Sequence, residues 1–456
     1  MILKKLTYTC VTTVLMLQLS TAIPALGQDD TQQMKQALQE LRSQMQKMQS
    51  AYEGQIKSLE KRIQTVEQKP VTQKAPSVLA SRSSKNALGG KSSFQIGMNA
   101  SVIGGGSSVD NGALANLQRG HHDPKVNGFS VSNVELFLGG TVDPYFDAQA
   151  SIALQIDSEG ETSIELEEAF ATTRNLPYGL QVKVGQYFTE FGRANTQHPH
   201  SWSFVDQPVV LSRLFGGDGL RSQGARVSWL TPLPWFSEFT VGAQNSKGET
   251  AVSFLGEVGE TIGGNTLQNR NTRNVADLLW SARWLNGFDL SDTTSMNLGL
   301  SGAVGPNATG SSTNTYIAGI DTYMKWQPEQ SQRGFPFFAW QNEALFRKYE
   351  ALDSSDSSHK NIYDLGLYTQ ALWGFKPGWV GGLRFEYAKA NGDTATDPFR
   401  DTRWRVSPNI TWHPSEFSKV RLQYNRDWAE HLSTGSSDSV FLQLEYSLGS
   451  HFAHKF

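Results

Sequence analysis

The feature that most constrains the fold is a series of short segments of alternating polarity that begins at Ser93. Each segment is about ten to fourteen residues long, and clusters of turn residues separate one segment from the next. In 403–412 one face would carry Trp404, Val406, Ile410 and Trp412, and the other Arg403, Arg405, Ser407, Asn409 and Thr411. Because side chains of a strand alternate between faces, one face suits lipid and the other suits water. The pattern predicts strands that line a polar interior.

Sixteen such segments are present, an even number as in bacterial transmembrane barrels. The predicted strands are 94–103, 129–142, 146–157, 163–174, 179–188, 220–230, 236–245, 273–285, 293–304, 314–327, 335–349, 361–374, 378–389, 399–412, 418–428 and 438–456. Short and long connections alternate along the chain, which is typical of periplasmic turns and extracellular loops. Residues 93–456 are therefore predicted to form an all-β fold, a transmembrane antiparallel β-barrel of about 16 strands.

The first residues have the pattern of an export signal. Lys4 and Lys5 precede a largely apolar stretch from Val11 to Ile23, and Ala25-Leu26-Gly27 fits cleavage before Gln28. Residues 1–27 are therefore predicted to be a signal peptide. Cys10, the only cysteine, lies inside it, so we expect neither a disulfide nor thiol chemistry in the mature chain.

Residues 28–69 are predicted to form a periplasmic α-helical coiled coil that precedes the barrel. A narrow apolar seam with heptad spacing runs along 31–68, through Met34, Leu38, Leu41, Met45, Met48 and Tyr52, and then Ile56, Leu59, Ile63 and Val66. A single amphipathic helix lying on the barrel or on a membrane surface is the alternative interpretation. Pro70 would end the helix, and 70–92 has the composition of a flexible linker.

The distribution of charge argues against nucleic-acid binding. The whole chain carries −3, but residues 28–92 carry +5 and residues 93–456 carry −10. A nucleic-acid-binding protein concentrates positive charge on its folded body, and here that body is acidic. Phosphate loops, paired catalytic carboxylates and nucleophile elbows are not found in the sequence either. We therefore expect neither an enzyme nor a bound cofactor.

A local motif resembles one family of barrels. Val184-Gly185-Gln186-Tyr187-Phe188-Thr189-Glu190-Phe191-Gly192-Arg193 lies at the end of the fifth predicted strand, before a long connection that ends near Gly216-Gly217-Asp218-Gly219-Leu220. The stretch resembles the phosphate-selective porin O and P family. The resemblance implies a trimeric sixteen-stranded barrel whose third external loop, here 189–219, folds into the lumen and forms the constriction.

That expectation defines the candidate site residues. The predicted pore constriction comprises Arg193, His198, His200, Asp206 and Arg213. Lys183, Arg283, Arg403, Arg405 and Arg421 are predicted to lie on the pore wall. Since both signs of charge occur in the loop, we expect weak ion selectivity rather than a strong preference for anions.

Two local histidine clusters, His121-His122 and His198-Pro199-His200, could bind a metal weakly because imidazole suits zinc or copper. We interpret them as surface-loop histidines and predict no metal ligand. Together these observations predict an outer-membrane porin of a Gram-negative bacterium, which passes small hydrophilic solutes and ions by passive diffusion. A metal- or nutrient-specific receptor and a barrel that tethers the outer membrane to the cell wall are the alternatives. The expected partners are outer-membrane lipid and lipopolysaccharide, two further copies in a homotrimer, and peptidoglycan through the periplasmic arm.

Overall fold

The computed structural model describes residues 94–156, 160–352, 358–391 and 397–449. The predicted signal peptide, coiled coil and linker lie outside the described residues, as does the end of the last predicted strand. Among the described residues, no helix is long and apolar enough to cross a membrane.

Among the described residues, sixteen long strands form one closed antiparallel barrel, which confirms the predicted barrel and its strand number. The first seven are β1 (Phe94–Ser107), β2 (Gly128–Thr141), β3 (Phe146–Ile156), β4 (Thr162–Thr173), β5 (Leu180–Phe188), β6 (Arg221–Leu230) and β7 (Phe236–Gln244). A two-stranded sheet, β8 (Thr261–Ile262) and β9 (Asn265–Thr266), follows in the next loop. The barrel continues with β10 (Leu279–Ser291), β11 (Thr294–Pro306), β12 (Asn314–Trp326), β13 (Phe337–Leu352), β14 (His359–Lys376), β15 (Trp379–Ala390), β16 (Arg403–Ser415), β17 (Ser418–Ala429) and β18 (Ser436–Gly449). Pairing of β1 with β18 closes the barrel.

The barrel has a long-loop end and a short-turn end. The first residue of β1, Phe94, and the last residue of β18, Gly449, lie at the short-turn end. Four long-loop segments are used below: loop 1 (108–127), loop 3 (189–220), loop 4 (245–278) and loop 7 (391–402). This sorting of connections agrees with the prediction from the sequence.

The alternation of polarity separates the two faces of the wall as predicted. In β16, Arg403, Arg405 and Asn409 are buried inside, whereas Trp404 and Trp412 are exposed outside. Trp412 stacks on Trp379 of β15, and Trp404 contacts Tyr387 of β15. The two tryptophans are eight residues apart, or about 27 Å along the strand, which a tilt of about 40° reduces to roughly 20 Å. Aromatic residues therefore flank an apolar band close to the expected height of about 25 Å.

Two predicted strand starts were wrong. β10 begins at Leu279 rather than 273, because Asn274 caps a helical turn at Val275–Asp277 and Asp277 accepts hydrogen bonds from Arg273 and Arg270. β16 begins at Arg403 rather than 399, because Pro398–Arg400 also forms a helical turn. At Val275–Asp277, local side-chain hydrogen bonds compete with backbone pairing in the sheet.

Two short helices were not predicted. α1 (Asn111–Leu117) lies in loop 1 and is capped by Asp110, whose side chain accepts a hydrogen bond from the Ala113 amide. α2 (Val209–Phe215) lies in loop 3, begins after Pro208 and ends at Gly216. The β-branched pair Val209-Val210 favours a strand in isolation, so burial of the α2 side chains, not local propensity, accounts for this helix.

Candidate functional site

Loop 3 lies inside the barrel and crosses its interior. Near its start, the Gly192 amide donates to Ser301 of β11 and the Ala194 amide donates to Glu343 of β13. Farther along, His198 contacts Glu168 of β4, on another part of the wall. Asn195 ties the two ends of the loop together by bonding the Leu220 amide and the Thr189 and Leu220 carbonyls. The predicted inward fold of this loop is thus present in the structure.

One side of loop 3 packs an apolar core against the inner wall. The core contains Phe191, Ala194, Val210, Leu211, Leu214, Phe215 and Leu220 from the loop, with Leu279, Ala303, Ile317, Leu345 and Tyr368 from the strands. Gly366 of β14 makes room for α2, because a Cβ there would lie 2.4 Å from Cγ2 of Val210. Gly192 has a φ of +61°, and a Cβ there would overlap the Glu343 carboxylate. Small residues at these two places let the loop lie directly on the wall.

Asp206 is the main polar anchor of loop 3. Its carboxylate accepts hydrogen bonds from Arg384 of β15 at 2.5 Å and Arg405 of β16 at 2.9 Å. Gln423 and Asn425 of β17 donate to the same carboxylate at 2.9 and 2.6 Å. Burial alone would raise the pKa of Asp206, but the two guanidinium groups hold it below its ordinary value. The carboxylate is therefore ionised and fixed to three neighbouring strands.

The predicted wall residues Arg403, Arg405 and Arg421 face inward, but they are buried under the loops. Arg403 and Arg405 share Asp427, and both donate to the Leu117 carbonyl at the end of α1. Arg421 donates to the Trp202 carbonyl of loop 3 at 2.8 Å. These side chains hold loops 1 and 3 against the wall. Their role in ion selection stays a prediction.

The other predicted residues lie on both sides of loop 3. Lys183 of β5 lies 3.8 Å from Glu190, and Arg283 of β10 forms a two-pronged ion pair with Asp321 at 2.7 and 2.9 Å. Arg193 lies over the ring of Tyr323, and burial lowers its pKa. Arg213 donates to the Asp401 carbonyl of loop 7, and burial lowers its pKa to about 10, so the group stays charged at neutral pH.

His198 and His200 do not lie on the outer surface; they contact a group of buried carboxylates. His198 Nδ1 is 2.5 Å from Glu135 of β2, and His198 Nε2 is 3.0 Å from Glu168. His200 Nδ1 is 3.0 Å from the second oxygen of Glu135. Burial alone would lower the pKa of His198, but the charge of Glu135 and the contacts with the neighbouring glutamates raise it well above its ordinary value. The interpretation of these histidines as surface residues was wrong.

His122 of loop 1 joins the same group. Its Nε2 lies 3.5 Å from Glu167 of β4, and its Nδ1 lies 3.1 Å from the Ser132 carbonyl. Burial opposes protonation here too, but the hydrogen bond and the charge of Glu167 raise the pKa of His122 to about 8. His121 points elsewhere and contacts Asp218.

The glutamates of this group were missed in the sequence. Glu135 stands between the apolar Val134 and Leu136, an alternation that marks an inward carboxylate and could have revealed it. Glu167 and Glu168 are adjacent, yet both are buried inside, because the pairing of β3 with β4 shifts by one residue at this point. Simple alternation places only one of two adjacent residues inside. No feature of the sequence predicts this change of register between β3 and β4.

Two cavities lie on opposite sides of loop 3. The first, of about 620 Å³, is at the long-loop end and is lined by residues such as Arg119, Arg213, Glu260 and Asp397. The second, of about 250 Å³, is nearer the short-turn end and includes Lys183, Arg193, Glu238, Arg283 and Asp321. Loop 3 contributes to both cavities, but no described residue lines both of them. Loop 3 therefore lies between the two cavities.

Comparison with known proteins gives one relative in sequence. A protein of Aquifex aeolicus (strain VF5), described as an uncharacterized protein, is 32% identical over 370 residues, which are 75% of this chain and 74% of the relative. The chain belongs to the same family as this Aquifex protein. No protein-family model matches the chain. The resemblance to the phosphate-selective porin O and P family stays a prediction.

Solved structures give similar folds at low sequence identity. The outer membrane channel DcaP of Acinetobacter baumannii has a TM-score of 0.49 at 13% identity, covering 78% of this chain and 96% of DcaP. OmpT of Vibrio cholerae, in its trimer form, has a TM-score of 0.48 at 8% identity, covering 78% and 99%. Salmonella typhi OmpF, in complex with daunomycin, has a TM-score of 0.47 at 10% identity, covering 78% and 97%.

Proposed function

We propose that this protein is an outer-membrane porin that lets small hydrophilic solutes and ions diffuse passively, with loop 3 as its constriction. The observation that carries the proposal is a closed barrel with an apolar exterior and a charged interior, in which loop 3 separates two cavities. Closure satisfies every strand edge, which a sheet in lipid requires. The proposed transport involves no covalent chemistry.

The exterior of the barrel supports a location in lipid. Leucine, valine and aromatic side chains are exposed along the outer faces of the strands, among them Leu383, Leu422, Leu442 and Leu444. Exposed apolar area on this scale is unfavourable in water and is rare on soluble monomers. The proposed location is the outer membrane of a Gram-negative bacterium, with lipid and lipopolysaccharide as the surroundings.

The cavity linings support weak ion selectivity. The smaller cavity is lined by the cations Lys183, Arg193 and Arg283, and by the anions Glu168, Glu190, Glu238 and Asp321. The larger cavity also combines arginine with glutamate and aspartate. Neighbouring charges of opposite sign produce a local field across the path but only a small net preference, whereas a ring of one sign would select strongly.

Planar-bilayer recording tests the channel. We expect steady conductance steps from the purified full-length protein, and a small cation preference at low salt that fades as screening increases. Arg193→Ala combined with Arg213→Ala should shift the reversal potential under a salt gradient only slightly toward cations. Strong anion selectivity in the parent that disappears in the double variant would contradict the proposal and favour a phosphate-type channel.

The proposed assembly is a homotrimer whose periplasmic arms, residues 28–69, form a parallel coiled coil. The heptad seam in the sequence supports this proposal. Mass measurement in mild detergent should give three chains for the full-length protein and fewer for a variant that lacks 28–69. A full-length monomer would contradict the trimer. A trimer that is unchanged after the deletion would instead favour peptidoglycan as the partner of residues 28–69.

The position of loop 3 favours one alternative, a receptor or transporter for a specific metal or nutrient. Loop 3 lies between the two cavities, so a solute that binds in one of them and displaces part of the loop would open the path to the other. A specific transporter would show saturable uptake and no steady conductance. Flux that rises linearly with concentration would support the porin.

A further inference from the structure

The group of histidines and glutamates where loop 3 meets the wall has the chemistry of a metal site. Glu135, Glu167 and His198 each offer one donor atom, and the three atoms lie within 4.8 Å of one another. They come from β2, β4 and loop 3, so the chain brings them together only by folding loop 3 inward. Imidazole nitrogen with two carboxylate oxygens is a ligand set that suits Zn²⁺.

The orientation of the His198 ring agrees with metal ligation. Nδ1 points at Glu135 and Glu167, at 2.5 and 3.5 Å, yet among the described residues it makes no well-aligned hydrogen bond. The other ring nitrogen, Nε2, is bonded to Glu168 at 3.0 Å. A histidine that ligates a metal ordinarily donates its second N–H to a carboxylate, which fixes the tautomer and the ring. Glu168 stands where that supporting carboxylate is needed.

The carboxylates also have supporting partners around them. His200 Nδ1 lies 3.0 Å from Glu135 Oε2, and His122 Nε2 lies 3.5 Å from Glu167 Oε1. The single hydroxyl of Ser151 lies within hydrogen-bond distance of both glutamates, at 3.1 and 2.9 Å. One hydroxyl proton can serve only one of them at a time. Without a metal ion the neighbouring histidines balance the charge of the glutamates, and a bound ion would take the place of the proton on His198 Nδ1.

The two distances from His198 Nδ1 fit an ion after a small adjustment, and the two carboxylate oxygens lie within 4.8 Å of each other. With metal–ligand bonds of about 2.0–2.2 Å, tetrahedral donors lie roughly 3.3–3.6 Å apart. The separation between His198 Nδ1 and Glu167 already has this value, and Glu135 would retreat by about 1 Å. The rings of Phe137 and Phe188 contact His198 edge-on and exclude water from one side.

We propose that Glu135, Glu167 and His198 bind one divalent transition-metal ion of the Zn²⁺ type, with Glu168 as the positioning residue for His198. Three protein ligands leave a fourth coordination position for water. The bound ion ties loop 3 to β2 and β4, a different part of the wall from the strands β15–β17 that hold Asp206. This inference goes beyond the proposed channel and does not depend on it.

Zinc titration of the purified full-length protein in detergent tests the proposal. After removal of metal with a chelator, isothermal titration with zinc chloride should show one saturable site per chain. His198→Gln should weaken zinc binding at least 100-fold, and Glu168→Gln about 10- to 100-fold, because loss of a supporting partner has that effect in known metal sites. His413→Gln, at an exposed position in β16 near the short-turn end, is the matched control and should bind like the parent.

Two further measurements separate loss of the metal site from misfolding and from nonspecific binding of zinc. Each variant must show the heat-dependent gel mobility of a folded barrel, so that weak binding is not caused by misfolding. In the parent, substitution with Co²⁺ should give visible d–d absorption that is lost in His198→Gln. Absence of a saturable zinc site in the parent, or equal binding by His198→Gln, would overturn the proposal. Conductance plays no part in these readouts, so failure of the metal site and failure of the channel are distinguishable.

Discussion

Asp206→Asn should release loop 3 from the barrel wall. The substitution keeps the size of the side chain but removes the charge that faces Arg384 and Arg405, both about 1% exposed. Breaking a buried ion pair costs about 3–5 kcal/mol because a charge is left without compensation. Each arginine keeps a second carboxylate, Glu386 or Asp427, at 2.8 Å, so the lower end of the range applies. A loss of about 3 kcal/mol weakens the docking of loop 3 roughly 100-fold.

Single-channel recording and hydrogen exchange would detect this release. We expect larger, flickering conductance steps and faster exchange of loop 3 amides, while the strand amides stay protected. Asp438→Asn is the control, since it breaks an ion pair with Arg426 of β17 that is partly exposed to solvent. If Asp206→Asn gave the same steps and the same exchange as the control, Asp206 would not be the anchor described here.

Three further predictions concern packing, pH and lipid contact. Gly366→Ala should destabilise the barrel by about 1–3 kcal/mol through overpacking against α2, and adding Val210→Ala should restore part of the loss in thermal unfolding; no rescue would refute this contact. Burial and the charge of Asp206 raise the pKa of Asp123 to about 6, so the folded state binds this proton more tightly than the unfolded chain. The stabilisation is therefore complete only below about pH 4 and is lost as the pH rises through 6. Between pH 5 and 7 the free energy of unfolding of the parent should fall by about 1 kcal/mol more than that of Asp123→Asn. Parallel pH profiles of the two free energies would contradict this. Leu383→Arg, at an outward position midway between the aromatic belts, should cost about 2–4 kcal/mol in lipid, whereas Tyr145→Arg in a turn should cost about 0–1 kcal/mol; equal costs would argue against the membrane band.

The barrel was predictable from the sequence because the alternation of polarity within each strand identifies its outer and inner faces. The apolar Trp404 predicts the outer face of β16 and the charged Arg405 predicts its inner face, without information from any other strand. The turn residues predict where each strand ends. The strand number and the inward course of 189–219 followed from this pattern together with the family resemblance. Errors in the strand bounds reached six residues. The strand predicted at 273–285 spans Leu279–Ser291, and Asn274 and Asp277, before its start, form local hydrogen bonds instead of pairing in the sheet.

The contacts of the site were not predictable in the same way. Asp206 was expected in the constriction, but its arginine partners, Arg384 and Arg405, are 178 and 199 residues away in the chain, and no local pattern indicates them. α2 forms because Gly366 leaves room for it. The group around His198 depends on a one-residue shift between β3 and β4 that buries both Glu167 and Glu168 inside the barrel. Such contacts come from tertiary packing rather than from periodicity.

Chemical modification during recording tests the central claim most directly, that solutes pass beside loop 3. Thr196 lines the smaller cavity, and the only native cysteine, Cys10, lies in the predicted signal peptide. Addition of a bulky cationic methanethiosulfonate to Thr196→Cys should reduce each conductance step in discrete decrements. The same reagent on Tyr178→Cys, in an exposed turn, should leave the steps unchanged. Steady steps that are insensitive to modification of Thr196→Cys would contradict the account.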